Sequence, residues 1–348
     1  MLRIGVIGCG RIVREVHLPV LAGLSGVQVV ALADPDGASR EAVRPYAPAA
    51  KTYNDGPELL EEGGLDCVVI AAPSQLHAPL ATEALRRGFH VYLEKPIGTT
   101  IEEGAMLLDT WEGRGLVGMV GFNYRFHPVY QSAREMLNQG AVGKPLAVSS
   151  VFVSSAAVHG EWRASRRCGG GVLLDLASHH VDMIHFLFND PVAEVRAQTF
   201  SGHSEQSTAT LQMRLESGLL VSSTFSYGTV DDDRFEIYGE RGMLRINRHL
   251  SDRSELIPTA NQSARRRQIA AALSFLWRPG FILEKRKAPG GEPSYAKALE
   301  AFANAVKAQQ LVEPSLADGY RALAVVAAAE ESAGTGSAVR VLAREVRQ

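Results

Sequence analysis

The sequence predicts two units: an N-terminal α/β half on a doubly wound parallel sheet (residues 1–122), and a C-terminal α+β half (residues 123–348) with a mostly antiparallel sheet. Three observations carry this expectation. Short continuous apolar runs alternate with helix-period segments at the start of the chain, as strands buried on both faces require. Five strand-like runs then follow one another between Val195 and Ile246, joined by short turns, which suits antiparallel pairing. Finally, 348 residues with 46% hydrophobic and 21% charged side chains suit a globular chain and are too many for one small core.

Leu2–Ile7 is the first strand. Gly8-Cys9-Gly10-Arg11-Ile12-Val13 follows, opening an amphipathic helix from Arg11 to Ala22, and the strand Val27–Ala33 ends on Asp34. Asp66–Ala72 is an apolar strand stopped by Pro73. Leu76–Arg87 is a helix stopped by Gly88. Phe89–Leu93, the helix Thr100–Gly113 and the strand Leu116–Phe122 complete the first half. The period changes after Asn123. Pro128–Gln139 reads as a helix, Leu146–Ser154 as an alternating strand, and Val172–Phe188 as a strongly apolar helix. Val195–Phe200, Thr208–Leu215, Leu219–Ser226, Arg234–Gly239 and Met243–Ile246 form a meander, and helices Tyr295–Gln309 and Leu316–Ala333 close the chain. Residues 251–293, rich in Arg, Pro and Gly, read as a surface excursion.

The net charge of -2 gives no ground for a nucleic-acid or anionic-membrane partner. No apolar run reaches the ~18–20 residues that span a bilayer. Met1–Gly10 runs straight into a strand without a basic leader. Cys9, Cys67 and Cys168 are too scattered for a disulfide framework or a zinc spacing. A reducing cytoplasm is the expected location.

Strand, glycine turn, helix, strand and acid, in that order, make a dinucleotide-binding (Rossmann) signature. Backbone N–H groups at the helix start, at Gly8, Gly10, Arg11 and Ile12, hold a pyrophosphate. Asp34, 24 residues beyond Gly10, is placed to accept the adenosine ribose hydroxyls and to repel a 2′-phosphate, favouring NAD over NADP. Asp34-Pro35-Asp36-Gly37 is also ordinary turn chemistry, and Arg40 is near enough to weaken the NAD preference, so NADP stays open. Val13 stands where glycine or alanine is usual in the fingerprint.

Glu94-Lys95-Pro96 sits at the carboxyl end of a predicted strand, where an open parallel sheet forms its ligand crevice. Gly169-Gly170-Gly171 leads into the apolar helix, on which Asp175 and His179 stand four apart on one face and Asp182 continues the stripe. A histidine beside a carboxylate suits a general base near neutral pH. A satisfied core histidine is the plainer alternative. His180 points elsewhere. Asp175, His179 and Asp182 could supply metal ligands, but the rest of the sequence offers no ligand cluster and hydride transfer to a nicotinamide needs no metal, so none is expected. Arg163, Arg166 and Arg167 hint at an anionic substrate group, although surface ion pairing is the commoner use of such arginines.

Together these residues resemble the glucose–fructose oxidoreductase and inositol dehydrogenase family (Gfo/Idh/MocA) along nearly the whole chain. The resemblance rests on Gly8-Cys9-Gly10 with His17-Leu18-Pro19, Ala72-Pro73-Ser74 with His77, Glu94-Lys95-Pro96, and Gly121-Phe122-Asn123-Tyr124-Arg125-Phe126. It continues through Gly169-Gly170-Gly171 with Asp175 and His179, Glu236-Ile237-Tyr238-Gly239 with Gly242, and Asp318-Gly319. It implies a Rossmann domain, then an α+β domain whose large open sheet often makes a homo-oligomer interface. It also implies NAD(P)-dependent hydride transfer at a secondary alcohol or ketone of a sugar, cyclitol or sugar derivative. By residue it implies that Lys95 bonds the reacting oxygen and the nicotinamide ribose, His179 takes the hydroxyl proton, and Asp175 orients His179 or binds a neighbouring hydroxyl. Pro73, Ser74, His77, Glu94 and Asn123 would line the cofactor, and Arg125, Trp162, Arg163 and Tyr295 the substrate. Two alternatives fit the same scaffold: an NAD-dependent glycoside hydrolase with transient redox, and a non-catalytic NAD-sensing protein.

Overall fold

The computed structural model describes residues 1–61, 63–155, 164–259, 279–342 and 344. Six parallel strands form the first sheet: β1 (Leu2–Ile7), β2 (Val27–Ala33), β3 (Lys51–Tyr53), β4 (Cys67–Ile70), β5 (His90–Leu93) and β6 (Gly118–Val120). Their order is β3-β2-β1-β4-β5-β6. The order turns back between β1 and β4, which opens a crevice at the strands' carboxyl ends. Helices α1 (Leu18–Gly23), α2 (Gly37–Val43), α3 (Gly56–Glu61), α4 (His77–Arg86) and α5 (Ile101–Trp111) connect the strands. A π-helical turn, Val13–His17, leads directly into α1. The fully buried β4, Cys-Val-Val-Ile, shows why these strands read as unbroken apolar runs.

The second sheet has eight strands: β7 (Pro145–Ser154), β8 (Val192–Phe200), β9 (Thr208–Leu215), β10 (Leu220–Tyr227), β11 (Asp232–Gly239), β12 (Gly242–Asn247), β13 (Glu255–Pro258) and β14 (Val339–Arg340). Their order is β13-β12-β11-β7-β10-β9-β8-β14, and β7–β10 is its parallel pair. The expected five-strand meander is therefore split, because β7 lies between β10 and β11. Central placement pairs both edges of this 10-residue strand. It also turns Val148, Ser150 and Phe152 inward, onto the helix that bears His179 and His180.

The remaining helices are α6 (Pro128–Asn138), α7 (Ser178–Phe188), α8 (Pro279–Lys287), α9 (Ser294–Ala308) and α10 (Leu316–Thr335). A π-helical turn, Leu173–Ala177, opens α7. Helix α9 returns to the first sheet: Ala298, Leu299, Phe302 and Val306 pack with Ile4, Val6, Leu18 and Tyr92 in one buried cluster. One core thus draws on both sides of the division expected at residue 122. Helix α10 starts at a capping box of Ser315 and Asp318 and packs against α5, α7 and β8, bridging the two sheets. No helix among the described residues is long and apolar enough to cross a membrane.

Candidate active site

The glycine turn after β1 is forced by crowding. Gly8 has φ +93°, and a Cβ there would stand 2.5 Å from the carbonyl oxygen of Ala71. Gly10 faces open space, which leaves its backbone approachable by a phosphate. Asp34, at the end of β2, accepts the backbone N–H of Cys9 (2.7 Å) and of Asp36 (2.9 Å). It pins the turn, and each carboxylate oxygen keeps a lone pair for a ribose hydroxyl. Arg40 donates to the backbone oxygen of Asp34 and so is held at this end of the crevice.

Two histidines brace the crevice from below. His77, opening α4, sets its ring nitrogens 2.6 Å from the Pro96 carbonyl and 2.8 Å from the Ala72 carbonyl, tying the exits of β4 and β5 together. Burial lowers its pKa, opposed by the two carbonyls. His17 is fully buried and meets Glu94 at 2.9 Å, with the Tyr295 ring edge-on at 6.0 Å.

Lys95 leaves β5 and extends to the π-helical turn before α7. Its Nζ donates to Oδ1 of Asp175 (2.6 Å) and to the Asp175 backbone oxygen (2.9 Å). The other oxygen of Asp175 accepts the hydroxyl of Tyr227 at 2.7 Å. One turn along, His179 stacks on the Tyr124 ring, centroids 4.4 Å apart and planes 16° apart. Its Nδ1 is buried without a hydrogen-bond partner among the described residues. Burial, and then the charge of Lys95, push the His179 pKa well below the usual imidazole value, so the ring is neutral at neutral pH.

A cleft of about 990 Å³ opens among these groups. Ten of the eleven residues expected at the cofactor line it: Gly8, Gly10, Arg11, Ile12, Asp34, Pro73, Ser74, His77, Glu94 and Lys95. Asp175, His179 and Tyr295 line it too. An ammonium, a neutral imidazole and a carboxylate at the mouth of a dinucleotide crevice can polarise a hydroxyl and accept its proton. The donors present fit a dinucleotide: a helix start for its phosphates and an acid for its ribose.

Other expectations need correction. Asn123 does not border the cleft; it is buried and donates to Ser294 Oγ at 2.8 Å. Arg125 turns away into a buried ion cluster with Asp182 (2.6 Å) and Asp318 (2.8 Å), because three mutually satisfying charges are cheaper to bury than one. That pairing also occupies Asp182. The Asp175 side chain bonds Lys95 and Tyr227, and its charge also acts on His179, whose ring stacks on Tyr124. Arg166 pairs with Glu330 of α10. Trp162 and Arg163 lie outside the described residues. Arg125→Met should therefore lower stability by about 3–5 kcal/mol, read as a drop in the urea midpoint, with no selective loss of substrate affinity.

The sequence reading gave no role to Tyr227, Tyr124 or Arg248. Tyr227 ends a strand as an ordinary aromatic, and Arg248 sits in a turn. Only Tyr124, inside the Asn-Tyr-Arg-Phe run, carried a usable signal.

Residues 2–122 match the family model described as "Oxidoreductase family, NAD-binding Rossmann fold". Residues 130–245 match the "GFO/IDH/MocA C-terminal domain". An uncharacterized oxidoreductase of Synechocystis sp. is 36% identical over 191 residues, which span 54% of this chain and 51% of that protein. A protein named myo-inositol 2-dehydrogenase, from Thermotoga maritima, is 26% identical over 342 residues, covering 95% of this chain and 96% of its own. Among solved structures, the WlbA dehydrogenase from Bordetella pertussis, in complex with NADH and UDP-GlcNAcA, superposes with a TM-score of 0.81 at 22% identity. That match covers 98% of each chain and is a likeness of fold.

Proposed function

The chain belongs to the Gfo/Idh/MocA oxidoreductase family, and from that membership we propose hydride transfer between NAD and a secondary alcohol or ketone of a sugar, cyclitol or sugar derivative. One observation carries the reading furthest: Lys95 and His179, from distant parts of the chain, border the same cleft as the dinucleotide turn. Hydride uptake or release is the chemistry a nicotinamide supplies when bound. Lys95 stabilises negative charge developing on the substrate oxygen. His179, neutral at the outset, takes the hydroxyl proton. Asp175, braced by Tyr227, holds Lys95 at its post, and Tyr295 lines the same cleft as Glu94.

Asp34 sets the cofactor choice. NAD should bind more tightly than NADP by roughly tenfold or more, because a 2′-phosphate would face a carboxylate. Calorimetric titration of both dinucleotides checks this, and tighter NADP binding would reject the role of Asp34. With Arg166 engaged by Glu330, an anionic substrate loses one supporting cation, so neutral polyols such as myo-inositol lead the panel. The decisive experiment incubates the protein with NAD and polyols, sugars, sugar acids and nucleotide sugars. NADH should accumulate with at least one neutral polyol or sugar. Co-purifying NAD and aglycone release without net NADH would transfer the assignment to a glycoside hydrolase. Silence across the panel with a stable protein partner would indicate a sensor.

The outward face of the second sheet sets Leu220 (57% exposed) and Tyr238 (41% exposed) either side of Ala147 in one cross-strand row. This face supports self-association into a homo-oligomer. The balanced charge and the separated cysteines favour the cytoplasm, without a membrane or nucleic-acid partner.

A further inference from the structure

Behind the cleft wall that bears His179 lies a set of buried ionisable groups that the proposed chemistry does not use. Asp233 of β11 accepts from Arg248 Nε (2.8 Å) and from the Tyr130 hydroxyl (3.0 Å), and lies 3.2 Å from Nε2 of His180. Arg248, just past β12, donates through Nη1 to Glu292 at 2.9 Å. Glu292 accepts the hydroxyl of Ser294 (2.8 Å), and Ser294 accepts from Asn123. The guanidinium is thus clamped between acids from two separate elements, and its rigid fork fixes where its face lies.

That face meets the site. The guanidinium carbon of Arg248 lies 4.4 Å from the centroid of Tyr124, the ring on which His179 is stacked. A buried ion network is weak evidence for stability alone, since well-packed apolar groups serve as well. Here it ends on the platform of a histidine that has no hydrogen bond to set its ring among the described residues. Phe122 and Phe152 flank the same imidazole at 6.1 and 6.2 Å and make no polar contact with it.

We propose that Arg248, anchored by Asp233 and Glu292, is a positioning residue that fixes His179 through the Tyr124 ring. Stacking then supplies the orientation that a hydrogen-bonded carboxylate would otherwise give. The proposal rests on His179 being the base. The charged groups facing His179 are Lys95 after β5, Asp175 on the π-helical turn, Asp233 on β11 and Arg248 after β12. His180, beside it on α7, is held by Ser150 and Asp233. Lys95 and Arg248 oppose protonation of His179, and the two acids favour it.

The test uses the full chain. Tyr124→Leu removes the platform and spares the ion network, whereas Tyr124→Phe keeps the ring. Tyr124→Leu should lower kcat by about 10- to 100-fold, the scale of a small misplacement of a catalytic group, with little change in KM. Tyr124→Phe should restore kcat to within about threefold of the parent. Arg248→Met removes a charge that opposes protonation, so the acid limb of kcat/KM should move to higher pH. Because that variant takes the guanidinium from two buried carboxylates, Arg248→Lys, which keeps the charge, is its companion and should leave the limb in place while lowering kcat. Imidazole NMR correlations of His179 read the ring without substrate, and Tyr124→Leu should shift or broaden them. Unchanged correlations, or a Tyr124→Leu enzyme with parental kcat, overturn the proposal. If His179→Gln stays active while those correlations do change in Tyr124→Leu, the base assignment falls and the stacking role stands.

Discussion

Lys95→Ala should lose turnover by about 10²–10³-fold, the usual effect of removing one preorganised donor to a developing oxyanion. Dinucleotide affinity should stay close to the parent's. The reasoning is geometric. Lys95, which follows β5, is tied to Asp175, 2.6 Å away on the π-helical turn before α7, whereas the phosphate-binding turn follows β1. Asp175 would lose its cation but keep the Tyr227 hydroxyl, so part of its carboxylate remains satisfied. Steady-state kinetics with a calorimetric NAD titration separate the two effects, and a melting curve guards against misfolding. A variant that turns over at a tenth of the parent rate or better would remove Lys95 from the chemistry.

His179→Gln should lower kcat for alcohol oxidation by about 10²–10⁴-fold. The pH dependence has a definite sign. Burial and the charge of Lys95 hold the native His179 pKa well below the imidazole value, so the proton-accepting form predominates from alkaline pH down through neutrality. Oxidation by the native enzyme should therefore hold its rate on moving from neutral to mildly acidic buffer, and fall only as pH drops through that lowered pKa. In His179→Gln the fall should vanish, and raised pH should restore part of the rate, because hydroxide can remove the proton unaided. A pH–rate profile of kcat for both proteins checks this. An acid limb that persists unchanged in the variant belongs to another group.

The dinucleotide half was legible because its signals are local. Gly8, Gly10 and Asp34 each meet a demand of their own backbone, and the buried strands β1, β2 and β4 carry apolar runs that no solvated strand would keep. Short elements escaped. β3 is only Lys-Thr-Tyr and lies at a sheet edge, so burial left little mark on it. The catalytic candidates were found by position, at a strand's end and on one helical face, while their partners were not. Tyr227 reaches Asp175 across 52 residues, and Arg125 reaches Asp318 across 193, distances over which spacing says nothing. The error over Arg125 is instructive. Its substrate role was implied by family resemblance alone, and only the positions of Asp182 and Asp318 reveal that its charge is already spoken for.

Helix α9 carries a consequence for how this protein can be made or re-engineered. During synthesis the nucleotide-binding half leaves the ribosome long before Ala298, Leu299 and Phe302 exist, so one flank of its sheet stays greasy and uncovered until helix α9 emerges. A recombinant fragment ending at residue 122 should therefore aggregate. A chimera that grafts this half onto a different specificity domain must also transplant Ser294–Ala308.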